Sequence, residues 1–296
     1  MKIAFLGTGI MGAPMAARLC RAGYAVWAWN RSPEKAEPLK AFDAEICATA
    51  QDAAASADIV ILMVSTGDVC NTLLFGEGQP VNALRLKPGC LVIVMSSIAP
   101  DTAKRQAGTL SEFSIRYIDA PVSGGEEGAK AGSLSIMAGG AGTDIETARP
   151  VFNVLGETTH VGPVSCGQVS KLANQLIVGV TIGAVAEALI LAKAGGADPK
   201  AVREALFGGF ADSAILRAHG LRMLEENFTP GAHATTQLKD LAGAKTIADR
   251  RQTSLPFLSL AHDLYEEMCG SDLKDVDHSG LYRLLQQRPP AHFNDA

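Results

Sequence analysis

The 296-residue sequence has no excess of positive charge: 26 Lys and Arg stand against 31 Asp and Glu, a net charge of −5. Proteins that grip the phosphate backbone of nucleic acid carry a basic face, so this balance argues against that class of partner. No secretory leader is expected either. The first apolar stretch, Ile3 to Leu6, is far shorter than the core of a secretory signal, and no uncharged run of membrane-spanning length lies near the N-terminus. A cytoplasmic protein with no membrane partner is expected. The six cysteines (Cys20, Cys47, Cys70, Cys90, Cys166 and Cys269) contain no C-x-x-C pair, and the six histidines show no ligand-like spacing with them. Structural zinc and a disulfide framework are therefore unsuited to this chain, and no metal is expected. The thiols read as small packed hydrophobes. Internal repeats and low-complexity segments are also missing.

What is present is an alternation of strand and helix signals. At about 150 residues per domain the length suggests two domains, and the pattern changes once, near Ser165. Before it, short apolar runs at residues 2–6, 25–29, 59–64, 91–95, 116–119, 134–138 and 159–162 alternate with helical patterns at 11–22, 33–41 and 101–112. Runs that are apolar on both faces belong to parallel strands covered by helices, so a doubly wound α/β domain is expected over residues 1–163. After it, residues 165–194 are rich in Ala, Leu, Val and Ile, hold no proline and stop at Gly195-Gly196. That reads as one helix of about 45 Å, long enough to join two domains. Helices are further expected from Pro199, capped by Asp198, and over 212–226, 235–251, 255–268 and 279–287, with a loose tail from Arg288. Residues 164–296 thus form an all-helical domain.

The clearest chemical signal is Gly7-Thr8-Gly9-Ile10-Met11-Gly12, which follows the first strand and opens the first helix. In that context a G-x-G-x-x-G spacing marks a Rossmann-type dinucleotide site: the first glycine for the tight turn, the second for approach of the pyrophosphate, the third for close helix packing. Free amides at the helix start then face the phosphates. About 20 residues on, where an NAD-dependent enzyme places an acid on the ribose 2′-hydroxyl, this chain has Asn30-Arg31. A guanidinium pairs with a 2′-phosphate that an acid would repel, so NADP(H) is expected over NAD(H), with NAD(H) the second choice. If Arg31 merely lay over the adenine ring, the two would bind about equally.

In the long helix Gly167, Lys171 and Asn174 are spaced i, i+4 and i+7 and share a face. A lysine near the start of an apolar helix is partly desolvated, which lowers its pKa toward the range useful for proton transfer. Carbonyl reduction needs such a group, because hydride arriving at carbon leaves an alkoxide. The plainer alternative is a lysine snorkelling from a helix edge. Asp119-Ala120-Pro121-Val122-Ser123-Gly124-Gly125 ends a strand, and its Ser-Gly-Gly turn offers a hydroxyl and free amides suited to a carboxylate.

Taken together, the glycine loop with Met15 after it, the D-A-P-V-S-G-G stretch, the G-x-x-x-K-x-x-N helix and Gln237-Leu238-Lys239-Asp240-Leu241 resemble the β-hydroxyacid dehydrogenase family over nearly the whole chain. The resemblance implies that Lys171 is catalytic, that Asn174 helps hold substrate, and that Ser123, Gly124 and Gly125 bind its carboxylate. It also implies that Lys239 lies near the nicotinamide with Asp240 beside it, that Met63 and Val64 line the cofactor cleft, and that Ser97 stands where relatives often have Thr. Val94-Met95 departs from the acidic start common before that position. The implied activity is hydride transfer between NADP(H) and a small β-hydroxy acid or semialdehyde acid, in a homodimer or homotetramer assembled through the helical domain. Gly208 to Ser213 and Asn227 to Gly231 are most similar to the 2-hydroxy-3-oxopropionate (tartronate semialdehyde) reductase side of the family. Dehydrogenases of 3-hydroxyisobutyrate, L-threonate or L-serine type are the alternatives within it. A dinucleotide-sensing module without turnover is the non-enzyme alternative, opposed by the presence of Lys171, Asn174 and Ser123. A Ser–Lys hydrolase is opposed by the lack of a nucleophile elbow.

Overall fold

The computed structural model describes residues 1–76 and 83–288, so the expected tail beyond Arg288 lies outside the described residues. The chain divides into two compact units, Met1–Lys171 and Leu172–Ala296.

In the first unit β1 (Lys2–Leu6), α1 (Gly12–Arg21) and β2 (Ala25–Trp29) follow the expected bounds closely. Two 3₁₀ turns (Pro33–Lys35 and Glu37–Phe42) precede β3 (Glu45–Ile46), α2 (Ala50–Ala54), β4 (Ile59–Leu62), α3 (Gly67–Phe75), β5 (Leu91–Val94) and α4 (Pro100–Glu112). Then come β6 (Arg116–Asp119), β7 (Val122–Ser123), α5 (Gly125–Ala131), β8 (Leu134–Gly140), α6 (Gly142–Leu155) and β9 (Gly156–Gly162). The strand order is β3-β2-β1-β4-β5-β6-β8-β7, with β9 on β8. From β3 to β6 every pairing is parallel. The chain winds one way from β1 and the other way from β4, which places the topological switch point between those two strands.

Side chains alternate across the sheet. Ile3 and Phe5 enter one buried cluster with Met15, Leu19 and Phe152; Ala4 and Leu6 enter the other with Val60, Leu62 and Leu110. Both faces are covered, which is why these strands read as unbroken apolar runs.

Three local features differ from the sequence reading. The helix over residues 33–41 is instead two 3₁₀ turns, because Pro38 has no N–H to donate to the preceding turn and its ring crowds that carbonyl. The two-residue strands β3 and β7 escape a period-based reading altogether. The sheet is not parallel throughout: β8 runs antiparallel to both β6 and β7, while β9 is parallel to β8.

The long helix, α7, spans Cys166–Ala194 and runs through the unit boundary. By length and composition alone it could cross a membrane, with a mean hydropathy of 2.0 over its most apolar window. The second unit continues with α8 (Pro199–Ala205), α9 (Ala214–Leu224), α10 (Ala234–Arg250), α11 (Pro256–Cys269) and α12 (Leu281–Gln287). Asp198 and Ser213 cap α8 and α9 by accepting from Lys200 N and Leu216 N. The core joins Ile182 and Leu189 of α7 to Leu241, Tyr265 and Leu281.

Candidate active site

The glycine turn sits at the carboxyl end of β1, beside the switch point. Gly7 has φ +102°, a conformation that favours glycine, and a Cβ there would overlap the Met63 carbonyl oxygen. The Gly7 turn and the Met63–Val64 turn after β4 therefore interlock. A Cβ at Gly12 would overlap the carbonyl oxygen of Gly7, so α1 packs directly on the strand end. Gly9 is different: it is exposed, and a Cβ there meets no protein atom within 4 Å. Thr8 is 2% exposed, yet its Oγ1 has no hydrogen-bond partner. An open approach at Gly9 beside an unspent hydroxyl fits a pyrophosphate, so the turn suits a dinucleotide on its own geometry. Ile10 is exposed and Met11 half-buried.

Asn30 has a structural task. Its Oδ1 accepts from Thr8 N at 3.0 Å and its Nδ2 donates to Ser32 O at 3.0 Å, tying the glycine turn to the loop after β2. Arg31, next in that loop, is exposed.

The first turn of α7 is pinned across the carboxyl ends of three strands. Asp119, at the end of β6 and fully buried, accepts from Ser165 N (2.6 Å) through Oδ1 and from Gln168 N (2.8 Å) through Oδ2. Burial pushes its carboxyl up to about 6, against the opposing pull of these backbone amides. Gln168 reaches the turn after β5: its Oε1 accepts from Ile98 N and its Nε2 donates to Ser96 O, both at 2.9 Å. Ser96 Oγ accepts in turn from Val64 N at 2.8 Å, after β4. Gly167 allows the approach, since a Cβ there would overlap Met137 O and lie 2.5 Å from Asp119 O. Lys171, half-buried, stands one turn further along this anchored helix.

Ser123 is half-buried in β7, in register with Ser135 of β8. Gly124 and Gly125 follow with φ +134° and +63°, both exposed. Glu126 and Glu127 come next, and Lys130 pairs with both at 2.8 and 3.0 Å, which offsets their charge. Ser97 is half-buried beside the anchoring Ser96.

Asn174, Lys239 and Asp240 belong to the second unit. Asn174 Nδ2 donates to Gln175 Oε1 at 2.9 Å, Gln175 Nε2 donates to Gln237 Oε1 at 3.0 Å, and Gln237 Nε2 returns a bond to Gln175 O at 2.8 Å. Asp240 is 3% exposed, and the Lys239 ammonium lies 3.3 Å from its Oδ1. The same unit holds a cluster that histidine spacing did not reveal: His219 and His278 face each other with Nε2 atoms 3.3 Å apart, beside Asp277. The Asp277 carboxylate is already engaged by Gly231 N, Ala232 N, Ser279 N and Ser279 Oγ; against the upward push of burial, the bonds from Ser279 and Ala232 and the nearby His278 hold it down to about 2. It acts as a pin between the 231–232 and 277–279 turns.

Sequence reading singled out the glycine turn, the Ser-Gly-Gly turn and Lys171 as candidates, but not Ser96, Asp119 and Gln168 as the frame that the structure builds around the start of α7. A carboxylate closing an otherwise buried strand was the one available signal.

Known proteins extend this geometry. A family model described as the NAD binding domain of 6-phosphogluconate dehydrogenase matches residues 2–178, and one described as NAD-binding of NADP-dependent 3-hydroxyisobutyrate dehydrogenase matches residues 165–285. The chain is 41% identical over 287 residues to a 2-hydroxy-3-oxopropionate reductase of Escherichia coli, covering 97% of each. It is 32% identical to a 3-hydroxyisobutyrate dehydrogenase of Pseudomonas aeruginosa, covering 94% of this chain and 95% of that one. The solved Mycobacterium tuberculosis 3-hydroxyisobutyrate dehydrogenase with L-serine superposes with a TM-score of 0.85 at 30% identity, covering 96% and 98%. With two family models spanning residues 2–285 and a relative matched end to end, the chain belongs to the β-hydroxyacid dehydrogenase family and is an NAD(P)-dependent oxidoreductase.

Proposed function

We propose that the chain is an NADPH-dependent reductase of a short semialdehyde acid, 2-hydroxy-3-oxopropionate being the best candidate. The supporting observation is the anchoring of the Lys171 helix start at the carboxyl ends of β4, β5 and β6, in the same unit as the glycine turn. The E. coli relative carries that substrate in its name. A bound nicotinamide supplies the hydride. Gly7 to Gly12 receive the pyrophosphate, with Thr8 Oγ1 as a donor to it, and Met63, Val64 and Ser97 line the adjoining cleft. The turn at Ser123, Gly124 and Gly125 holds the substrate carboxylate through one hydroxyl and backbone amides. Lys171 gives a proton to the carbonyl oxygen as its carbon is reduced, so the aldehyde becomes a primary alcohol and no free alkoxide is left. Asn174, Lys239 and Asp240 are assigned to substrate and nicotinamide on the resemblance.

Arg31 sets the cofactor preference by pairing with the 2′-phosphate. The test is a panel of semialdehyde and hydroxy acids assayed with both cofactors by NAD(P)H absorbance. Fastest turnover is expected on 2-hydroxy-3-oxopropionate with NADPH, and Arg31→Ala should lower the NADPH-over-NADH ratio of kcat/KM by about 10- to 100-fold. Equal cofactor use by the parent enzyme would refute the role of Arg31. Faster turnover of L-serine, L-threonate or 3-hydroxyisobutyrate would move the substrate assignment.

We further propose a cytoplasmic homodimer or homotetramer in which the apolar surface of α7 is covered by another subunit rather than lipid. Only 28% of its most apolar window is buried within the chain, and Ile177 and Leu191 are exposed by 66% and 72%. Light scattering should give the mass of two or four chains. A monomer at assay concentration would refute this.

A further inference from the structure

We propose that Gln168 is a positioning residue for Lys171: its carboxamide sets the register of the α7 first turn against the turns after β4 and β5, and so fixes where the lysine ammonium is delivered. The inference rests on the reading of Lys171 as proton donor. Gln168 is 1% exposed, so its carboxamide is shut off from solvent. One end accepts from Ile98 N and the other donates to Ser96 O, so the group must be acceptor and donor at once. Its own backbone N–H is held by Asp119 Oδ2, which makes residue 168 the point where restraints from β5 and β6 meet. Through Ser96 Oγ and Val64 N the same chain of bonds reaches the turn that interlocks with Gly7. Lys171 lies three residues on, about 4.5 Å along the axis, so a small slip of the first turn displaces the ammonium by a comparable amount. Displacements near 1 Å at a proton donor cost up to about 100-fold in rate.

A methionine at 168 keeps the length of the side chain and leaves both backbone groups unmatched. A glutamate keeps the acceptor for Ile98 N and sets a second acceptor against Ser96 O. The test is a double-mutant cycle with the full-length protein: Gln168→Met and Gln168→Glu, each in the parent and in a Lys171→Ala background, measuring kcat, KM and NADPH affinity by fluorescence. In the parent, kcat is expected to fall about 10- to 100-fold, while KM and NADPH affinity change less than about threefold. In the Lys171→Ala background the same substitutions should change the residual rate less than about threefold, because the residue through which Gln168 acts is gone. Equal losses in both backgrounds, or losses confined to KM, NADPH affinity or melting temperature, would overturn the proposal. If Gln168→Met fails to fold, Gln168→Glu carries the comparison. Near-parental turnover in Lys171→Ala alone would bring down the proton-donor reading and this inference together. A disabled Lys171→Ala beside an unimpaired Gln168→Glu and Gln168→Met would bring down only the inference.

Discussion

Lys171→Ala should lower kcat by at least about 100-fold while leaving NADPH affinity and melting temperature nearly unchanged, measured by steady-state turnover, fluorescence titration and thermal melting. Lys171 is carried by helix α7. Its first turn is fixed by Asp119 and Gln168 independently of the lysine, so shortening residue 171 leaves the frame in place. What is lost is a movable proton. Hydride delivery to an aldehyde carbon puts negative charge on oxygen, and a proton must arrive as that charge grows. Lys171→Arg sharpens the test: a guanidinium keeps the positive charge but holds its protons too tightly to give one up, so arginine should restore little of the rate. Full recovery with arginine would mean that charge alone matters. Undiminished turnover in the alanine variant would end the assignment.

The second large effect comes from two glycines three residues apart that differ in their surroundings. Gly12→Ala drives a methyl into the Gly7 carbonyl, a backbone atom with nowhere to go. Overpacking of this kind costs about 3 kcal/mol, or roughly 6–12 °C in melting temperature for a unit of this size, and it opens the glycine turn. Gly9→Ala touches no protein atom within 4 Å, so it should melt within about 1 °C of the parent. Its methyl nonetheless stands where a pyrophosphate must approach the backbone, and NADPH affinity should fall at least about tenfold. Calorimetry with and without NADPH separates the two. A Gly9→Ala protein that binds NADPH as tightly as the parent would show that the pyrophosphate lies elsewhere.

Much of this was legible in the chain because it is written locally. Strands β1, β2 and β6 begin and end where their apolar runs do, and the glycine turn lies between a strand and a helix that both announce themselves. The break at Pro38 was equally visible in the residues, yet the surrounding helical pattern outweighed it. Two kinds of feature could not be read. Strands of two residues, such as Val122–Ser123, are shorter than any period. The anchors of α7 join residues 46 to 72 positions apart, and Asp119 or Gln168 looks ordinary until the partner is alongside. Lys171 could thus be picked out as a chemical group, whereas the parts that aim it could not.

If the turn at residues 123–125 holds the substrate carboxylate as proposed, the chemistry of the family is free to diversify elsewhere. Two of the turn's three positions have backbone angles that favour glycine, and Ser123 is tied into the ladder with β8, so it has almost no side chain to vary. On that assignment, a grip made of amides and one hydroxyl would recognise a carboxylate and be blind to whatever carbon skeleton is attached to it. Taste for one acid over another must therefore be written at other positions, and those can drift without disturbing the shared handle.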